Sequence, residues 1–285
     1  MKKPAGFLGL VLLIICCFLI RGRVSKTPKR LETPRKEVLE KSSMKEKETG
    51  QVKLTIVYDN NLYDERLGTG WGFGCLVEAY GKNILFDTGA DSPTLLANME
   101  TLGIGPKEID ILVLSHIHGD HVGGVWGVLE ANSKVTVFLP QSFPASFKEK
   151  IKSYGADFVD IFGPTEISSA VFSTGELGDG IKEQSLVVKT KRGLVIITGC
   201  AHPGVVNIVK KAKELFGEKI YLVLGGFHLG GASDSEILGI IKDLKALGVQ
   251  KSAPCHCSGD RARELFGKEF GDNYLEVGVG KEIRL

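Results

Sequence analysis

The feature that most constrains this 285-residue chain is a run of potential metal ligands that directly follows a buried strand. Residues 109–114 (Ile-Asp-Ile-Leu-Val-Leu) are apolar except for Asp110 and rich in β-branched side chains, as short buried strands are. Four polar side chains then follow within six residues: His116, His118, Asp120 and His121. Side chains alternate along a strand, so these four converge only where the strand turns into a helix. Gly119 supplies the backbone freedom for that turn, and a helical pattern begins at Val122.

Imidazole and carboxylate groups are ligands that Zn²⁺ and similar divalent ions prefer. The chain has six histidines, and the remaining three also lie at predicted strand-to-loop junctions: His202, His228 and His256. This is more than one tetrahedral ion needs, which predicts two ions, or one ion beside a proton-transfer group. We expect Zn²⁺ as the cofactor, while the ligand types also admit Mn²⁺, Fe²⁺ or Mg²⁺. A purely structural turn is the alternative.

Strand and helix patterns alternate from residue 51 onward, which is typical of an α/β protein. Strands are predicted at 52–58, 75–79, 83–86, 109–114, 135–139, 169–172, 185–190, 194–198, 220–224 and 274–279. Helices are predicted at 93–102, 122–131, 144–154, 205–216, 235–247 and 261–266. Glycines directly after four of these helices support the predicted helix ends.

Four segments of the chain together resemble the metallo-β-lactamase superfamily. They are 86–89 (Phe-Asp-Thr-Gly), 116–121 (His-Ile-His-Gly-Asp-His), 198–202 (Thr-Gly-Cys-Ala-His) and 254–256 (Pro-Cys-His). The resemblance covers residues 51–285. It implies an α/β (α+β) fold, a four-layer αββα sandwich with the site at one edge of its sheets.

The resemblance also implies a role for each residue of these segments. One ion would be held by three histidines: His116, His118 and His202. The second ion would be held by a mixed set: Asp120, His121 and His256. Asp87 would orient the metal-binding turn from behind the ligands. Asp120 would also be catalytic, by orienting a water molecule or taking its proton.

The chain departs from the superfamily at one position. Members commonly carry a bridging Asp after the strand that precedes the last motif. Here the predicted strand 220–224 runs into Gly225, Gly226 and Phe227, and then His228. A neutral imidazole cannot bridge two cations as a carboxylate does. Either the second metal site is therefore weak, or His228 binds the substrate and takes part in catalysis.

A narrower resemblance concerns one branch of the superfamily. Residues 173–177, 183–186, 199–204 and 225–229 resemble a branch that includes 7,8-dihydropterin-6-methyl-4-(β-D-ribofuranosyl)aminobenzene-5′-phosphate synthases. We expect a metal-dependent hydrolase that uses an activated water on an ester, lactone or phosphoester-type small molecule. A synthase-like transferase acting on a pterin diphosphate is the alternative. A non-catalytic metal-binding module tethered to a membrane is the alternative from another class.

Residues 60–74 are rich in glycine, with four glycines around two aromatic side chains, Trp71 and Phe73. Loops of this composition are flexible, and functional loops often cover an active site. We predict a flap in which Trp71 binds the substrate. A plain hairpin tip explains the same composition.

Six cysteines are present, and four of them lie beyond the N-terminal region: Cys75, Cys200, Cys255 and Cys257. A domain of this size does not need a disulfide framework, and their spacing is not typical of one. We predict reduced thiols. A metal or redox role remains open for Cys200 and Cys257, because both neighbour candidate ligands.

Residues 5–20 form an uncharged apolar run between Lys2–Lys3 and two arginines, Arg21 and Arg23. We predict that 1–20 is an uncleaved membrane anchor, or alternatively a signal segment. Residues 21–50 are predicted to be a charged linker, and 51–285 the catalytic domain. The basic residues after the run favour a cytoplasmic catalytic domain. A secreted or cell-surface protein is the alternative.

The net charge of +2 conceals an uneven distribution. Residues 21–50 carry ten Lys or Arg against five Glu, which leaves the catalytic domain mildly acidic. An acidic domain does not favour a nucleic-acid partner. We expect a small-molecule substrate, with the membrane as a partner of the N-terminal segment and the oligomeric state open.

Overall fold

The structure is a computed structural model that describes residues 52–285. The predicted membrane anchor at 1–20 and the predicted linker at 21–50 lie outside the described residues. Between residues 52 and 285 no helix has both the length and the apolar character needed to cross a bilayer.

Thirteen strands form the centre of the described part of the chain. They are β1 (Lys53–Asp59), β2 (Phe73–Ala79), β3 (Lys82–Phe86), β4 (Ile111–Val113), β5 (Thr136–Pro140), β6 (Asp157–Ile161), β7 (Thr165–Ser168), β8 (Val171–Ser173), β9 (Leu186–Thr190), β10 (Gly193–Thr198), β11 (Ile220–Gly226), β12 (Lys251–Cys255) and β13 (Glu282–Arg284). They form a seven-stranded sheet in the order β13-β1-β2-β3-β4-β5-β6. A six-stranded sheet has the order β12-β11-β10-β9-β8-β7.

Seven α-helices lie outside the two sheets in this part of the chain. They are α1 (Ser92–Thr101), α2 (Gly119–Val122), α3 (Val125–Ala131), α4 (Ala145–Ser153), α5 (Val205–Phe216), α6 (Asp234–Ala246) and α7 (Asp260–Phe270). Ser233 caps α6, accepting a hydrogen bond from Glu236 N–H while the Glu236 side chain accepts one from Ser233 N–H. Gly217 ends α5 in the left-handed conformation, as the sequence predicts.

Three apolar clusters define the layers. The largest lies between the sheets, with Phe73 and Phe86 from the first sheet and Ile197 and Leu222 from the second. Another packs α5, α6 and α7 against the second sheet. The last packs α1, α3 and α4 against the first sheet. The predicted mixed α/β fold, with two sheets and helices, is confirmed.

Parallel strands in the two sheets determine where the functional side chains lie. β3, β4, β5 and β6 are mutually parallel in the first sheet. β10, β11 and β12 are parallel in the second. The loops that follow the carboxyl ends of parallel strands emerge at one edge, which is where α/β proteins place their ligand sites. Every histidine of the chain follows such a strand end.

Two predicted elements differ from the structure. The predicted strand 274–279 forms only isolated bridges at Tyr274 and Val279, because the chain there passes directly over Asn61 at Gly278. The predicted helix 122–131 is divided into α2 and α3, with Gly123 and Gly124 between them. Both glycines approach the backbone of residues 88–90 so closely that a Cβ atom would collide with it.

Asn98 on α1 connects the helix to the loop between β1 and β2. Its buried side-chain amide donates to the carbonyl oxygens of Val57 at 3.0 Å and Gly68 at 2.8 Å. Its oxygen accepts a hydrogen bond from Gly68 N–H at 2.8 Å. These hydrogen bonds hold the loop that carries Trp71 in place at Gly68.

We predict that Asn98→Ala destabilises the fold by about 3 kcal/mol, since buried polar groups that lose their partners cost about 1–3 kcal/mol each. The measurement is urea denaturation followed by circular dichroism. Glu100→Ala, at an exposed position of the same helix, is the matched control and changes stability by less than about 0.5 kcal/mol. Equal stability of the two variants would contradict this role of Asn98.

Candidate metal centre

The ends of five strands bring the predicted site residues together. Asp87 follows β3, and residues 115–121 follow β4 in the first sheet. In the second sheet three strands end directly before histidine-bearing segments: His202 after β10, His228 after β11 and His256 after β12. The two sheets thus contribute opposite sides of one centre, and residues distant in sequence become neighbours.

The first ligand group consists of His116, His118 and His202. Nδ1 of His118 lies 3.1 Å from Nε2 of His116 and 3.3 Å from Nε2 of His202. Zn–N bonds of 2.0–2.1 Å in a tetrahedron place neighbouring nitrogens about 3.3 Å apart. The spacing therefore fits three ligands of a tetrahedrally coordinated ion. His118 and His202 are partly exposed, which leaves the fourth coordination position towards solvent.

The second ligand group consists of Asp120, His121, Cys200 and His256. Oδ2 of Asp120 lies 3.3 Å from Nε2 of His256 and 3.7 Å from Nε2 of His121. Nε2 of His121 is also 3.1 Å from Sγ of Cys200. Apart from Asp120, the members of this group are buried.

Electrostatics place the first ligand group and Asp120 in metal-binding states. Burial and the neighbouring imidazoles lower the pKa of His116, and burial with His228 and His118 lowers the pKa of His202 to about 4. Burial alone would raise the pKa of the Asp120 carboxyl, but the His256 and His121 imidazoles lower it to about 2. Neutral imidazoles and an ionised carboxylate are the states that bind metal. At His121 burial alone would lower the pKa, but the Asp87 and Asp120 carboxylates raise it, so an ion there would have to displace a proton.

Hydrogen bonds behind the ligands orient their rings. Asp87 is buried and accepts from Ser115 N–H at 2.7 Å and Ser115 O–H at 2.6 Å. It also lies 2.7 Å from Nδ1 of His121. Nδ1 of His256 lies 3.0 Å from the side-chain oxygen of Asn60. In both histidines Nδ1–H therefore donates, and the lone pair of Nε2 faces the second ligand group.

Glu183 is a functional residue that the sequence analysis did not single out. Its buried carboxylate accepts hydrogen bonds from four consecutive backbone N–H groups: Gly199, Cys200, Ala201 and His202, at 2.8–3.1 Å. This wraps the 199–202 turn around one carboxylate, so that Cys200 and His202 both face the centre. The only sequence signal for Glu183 is its place in the segment 183–186 that resembles the superfamily branch.

His228 and Trp71 lie at the border of the centre. His228 is exposed, and its ring centroid is 4.4 Å from that of His202. Trp71 is 60% exposed, and its ring centroid is 5.0 Å from that of His256. Next to Trp71, Gly72 approaches the backbone oxygen of Asp120 so closely that a Cβ atom would collide with it. The loop between β1 and β2 is therefore packed against the ligand-bearing turn.

Comparison with known proteins identifies the family. A model of the metallo-β-lactamase superfamily matches residues 75–209. The 7,8-dihydropterin-6-methyl-4-(β-D-ribofuranosyl)-aminobenzene-5′-phosphate synthase of Methanocaldococcus jannaschii is 35% identical over 279 residues, covering 81% of this chain and 95% of the relative. The chain belongs to the metallo-β-lactamase superfamily. Together with the synthase relative, this identifies the chain as an enzyme.

Solved structures of other superfamily members support the same fold. Tm1679, described as a metal-dependent hydrolase of the β-lactamase superfamily, has a TM-score of 0.70 and 30% identity, covering 81% of this chain and 98% of its own. The metallo-β-lactamase fold protein YhfI of Bacillus subtilis has a TM-score of 0.64 and 14% identity, covering 83% and 100%. A metallo-β-lactamase fold implies a divalent metal centre, and the His, Asp and Cys donors described above fit one.

We predict that Glu183→Gln weakens binding of the ion at the first ligand group by about 10–100-fold, as loss of a supporting residue does. The neutral amide presents an NH₂ group where one of the carboxylate oxygens accepts backbone N–H groups. The measurement is a competition titration with a chromophoric chelator on the full chain.

Glu166→Gln makes the same chemical change on an exposed face of β7 and is the matched control. It is expected to bind metal like the unsubstituted protein. A folded Glu183→Gln protein with unchanged metal affinity would show that the four hydrogen bonds do not position His202.

Proposed function

We propose that the protein is a metal-dependent hydrolase that attacks an ester, lactone or phosphoester-type small molecule with water. The observation that carries this proposal is the first ligand group, His116, His118 and His202. Three imidazoles at tetrahedral spacing leave the remaining position open to solvent, which distinguishes catalytic from structural zinc sites. Zn²⁺ is the proposed ion, and Mn²⁺, Fe²⁺ and Mg²⁺ are the competitors to be compared with it.

The bound ions would supply Lewis-acid polarisation of the substrate and a lower pKa for water. The first ligand group would hold one ion, and Asp120, His121 and His256 the other. Asp120 is ionised and is the partly exposed member of the second ligand group, so we propose that its carboxylate orients the attacking water and takes its proton. Asp87 keeps the His121 ring in the orientation that this arrangement requires.

The border residues would meet the substrate. His228 is exposed beside His202, where its imidazole can hydrogen-bond the substrate or donate a proton to the leaving group. Trp71 presents most of its indole to solvent against His256 and offers a flat apolar surface to a substrate. These two side chains border opposite ligand groups, so a substrate spanning them would lie across the centre.

We predict that His118→Ala loses the ion of the first ligand group and that turnover falls by at least about 100-fold. Metal content by elemental analysis and turnover of a p-nitrophenyl phosphodiester and an acyl lactone are the measurements. Ile117→Val, in the same turn but not among the ligands, is the control and should keep both. Unchanged metal content and unchanged turnover in His118→Ala would reject the hydrolase proposal.

A second candidate activity is a transferase that joins a pterin diphosphate to an aminobenzene riboside phosphate. The 35% identity to the M. jannaschii synthase over 95% of that protein favours it. Here the ions would stabilise the departing diphosphate, and no water would react. Incubating the full chain with both compounds separates the two activities: a coupled product supports the transferase, and release of the diphosphate without coupling supports the hydrolase.

We also propose that residues 1–20 anchor the enzyme in a membrane with its catalytic domain in the cytoplasm. The uncharged run 5–20 and the arginines after it support this. Fractionation of cells that express the full chain tests it. Release of the protein by high salt or alkaline carbonate, or its cleavage after the run, would reject the anchor.

A further inference from the structure

We infer that Cys200 is a thiolate ligand of the second ion, so that Asp120, His121, Cys200 and His256 enclose this ion with four protein side chains. The two sites of the centre then differ in kind: the first is open to the substrate and the second is closed by protein. This inference rests on the proposed metal centre. It adds Cys200 as a ligand, and it assigns the substrate to the first ion and a closed site to the second. The proposed function requires neither point.

The distances within the second ligand group support a shared ion. One donor atom from each of the four side chains lies within 4.8 Å of all the others. Sγ of Cys200 lies 3.1 Å from Nε2 of His121. Nδ1–H of His121 already donates to Asp87, so Nε2 faces the sulfur with its lone pair. Without an ion the Cys200 thiol donates its proton to this lone pair, and a cation that displaces the proton would have both donor atoms already facing it.

An unpartnered buried atom points to the same position. His256 is 1% exposed, and its Nε2 has no hydrogen-bond partner among the described residues. Buried polar atoms are almost always satisfied, and an unsatisfied one in a native structure requires an explanation such as an ion. Nδ1 of His256 is oriented by Asn60, which directs Nε2 towards Asp120 at 3.3 Å. A metal ion satisfies this lone pair.

The segment at the end of β11 supplies no acidic side chain to the second ligand group. Residues 225–233 contain no Asp or Glu, and a side chain at Gly226 would collide with the backbone oxygen of Gly199. His228, where the superfamily commonly carries the bridging Asp, is an imidazole beside His202 and brings no negative charge. The buried sulfur of Cys200, as a thiolate, would supply the negative charge instead.

A thiolate ligand would change the charge of the second ligand group and the metal ion that this group prefers. In the second ligand group Asp120 supplies one negative charge, and a divalent cation deprotonates a coordinating thiol outright, which adds a second. Sulfur ligands favour Zn²⁺ over Mg²⁺ and Mn²⁺. Four protein ligands without an open position are typical of a structural zinc site. We therefore expect the second ion to exchange more slowly than the first, whose open position belongs to the first ligand group.

Replacement of the native ions by Co²⁺ in the full chain tests the inference without relying on activity. Unsubstituted protein is expected to bind two Co²⁺ per chain and to show a thiolate-to-cobalt charge-transfer band in the near ultraviolet. Cys200→Ala should lose the band and bind the second Co²⁺ roughly 100-fold more weakly, while the first remains bound. Cys200→Ser, of nearly the same size, should behave alike, and circular dichroism confirms that both variants fold.

Cys257→Ala is the matched control, because Cys257 is the neighbouring buried thiol and its sulfur lies 3.7 Å from the Cys200 oxygen. The band should persist in this variant. Loss of the band in Cys257→Ala and not in Cys200→Ala would overturn the inference. Loss of the band in His228→Ala but not in His256→Ala would also overturn it, because the sulfur would then belong with His202 and His228.

The test also separates failure of the inference from failure of the proposed function. Two bound Co²⁺ ions without a charge-transfer band would reject Cys200 as a ligand and leave the hydrolase proposal intact. If the unsubstituted protein bound no Co²⁺ and no Zn²⁺, the metal centre itself would be rejected, and the proposed function with it.

Discussion

The metal centre depends on buried carboxylates that hold backbone turns in place. Glu183 accepts four N–H groups from one turn of the second sheet, and Asp87 accepts hydrogen bonds from Ser115 and His121 in the first. Buried carboxylates are costly unless their charge is compensated. Here the compensation comes from the hydrogen-bond donors, four N–H groups at Glu183 and Ser115 with His121 at Asp87, so each carboxylate and its turn hold one another in place.

Backbone strain is concentrated at the same strand ends. Six described non-glycine residues have positive φ, and four of them surround the centre: Asp87, Ala201, His228 and His256, at φ of 47° to 58°. Such conformations cost on the order of 1–3 kcal/mol and persist only where the surroundings enforce them. At Ala201 the enforcing contact is Glu183. The sharp turns direct side chains from parallel strand ends inward, which a regular strand cannot do.

Sequence reasoning succeeded where the information is local. The strand before residue 115, the ligand-bearing turn and most helix ends follow from periodicity and glycine positions, and the mixed α/β fold with two sheets is confirmed. It missed three short strands, β6, β7 and β13, and it misplaced two elements where a contact across the fold intervenes. The break between α2 and α3 comes from residues 88–90, and the irregular path of 274–279 comes from Asn61. Glu183 shows its role only when β10 brings the 199–202 turn to it.

The structure separates buried ligands and their supporting carboxylates from exposed side chains at the border of the centre. The buried ligands and the carboxylates behind them suit hydrolysis and diphosphate displacement equally, because both reactions need cations fixed at one strand edge. YhfI shares the fold at only 14% identity, so the fold itself carries no substrate information. The exposed groups at the border of the centre are Trp71 and His228, which border different ligand groups. Because Asn98 holds Gly68 and Gly72 packs against the backbone of Asp120, the loop that carries Trp71 is held against the ligand-bearing turn.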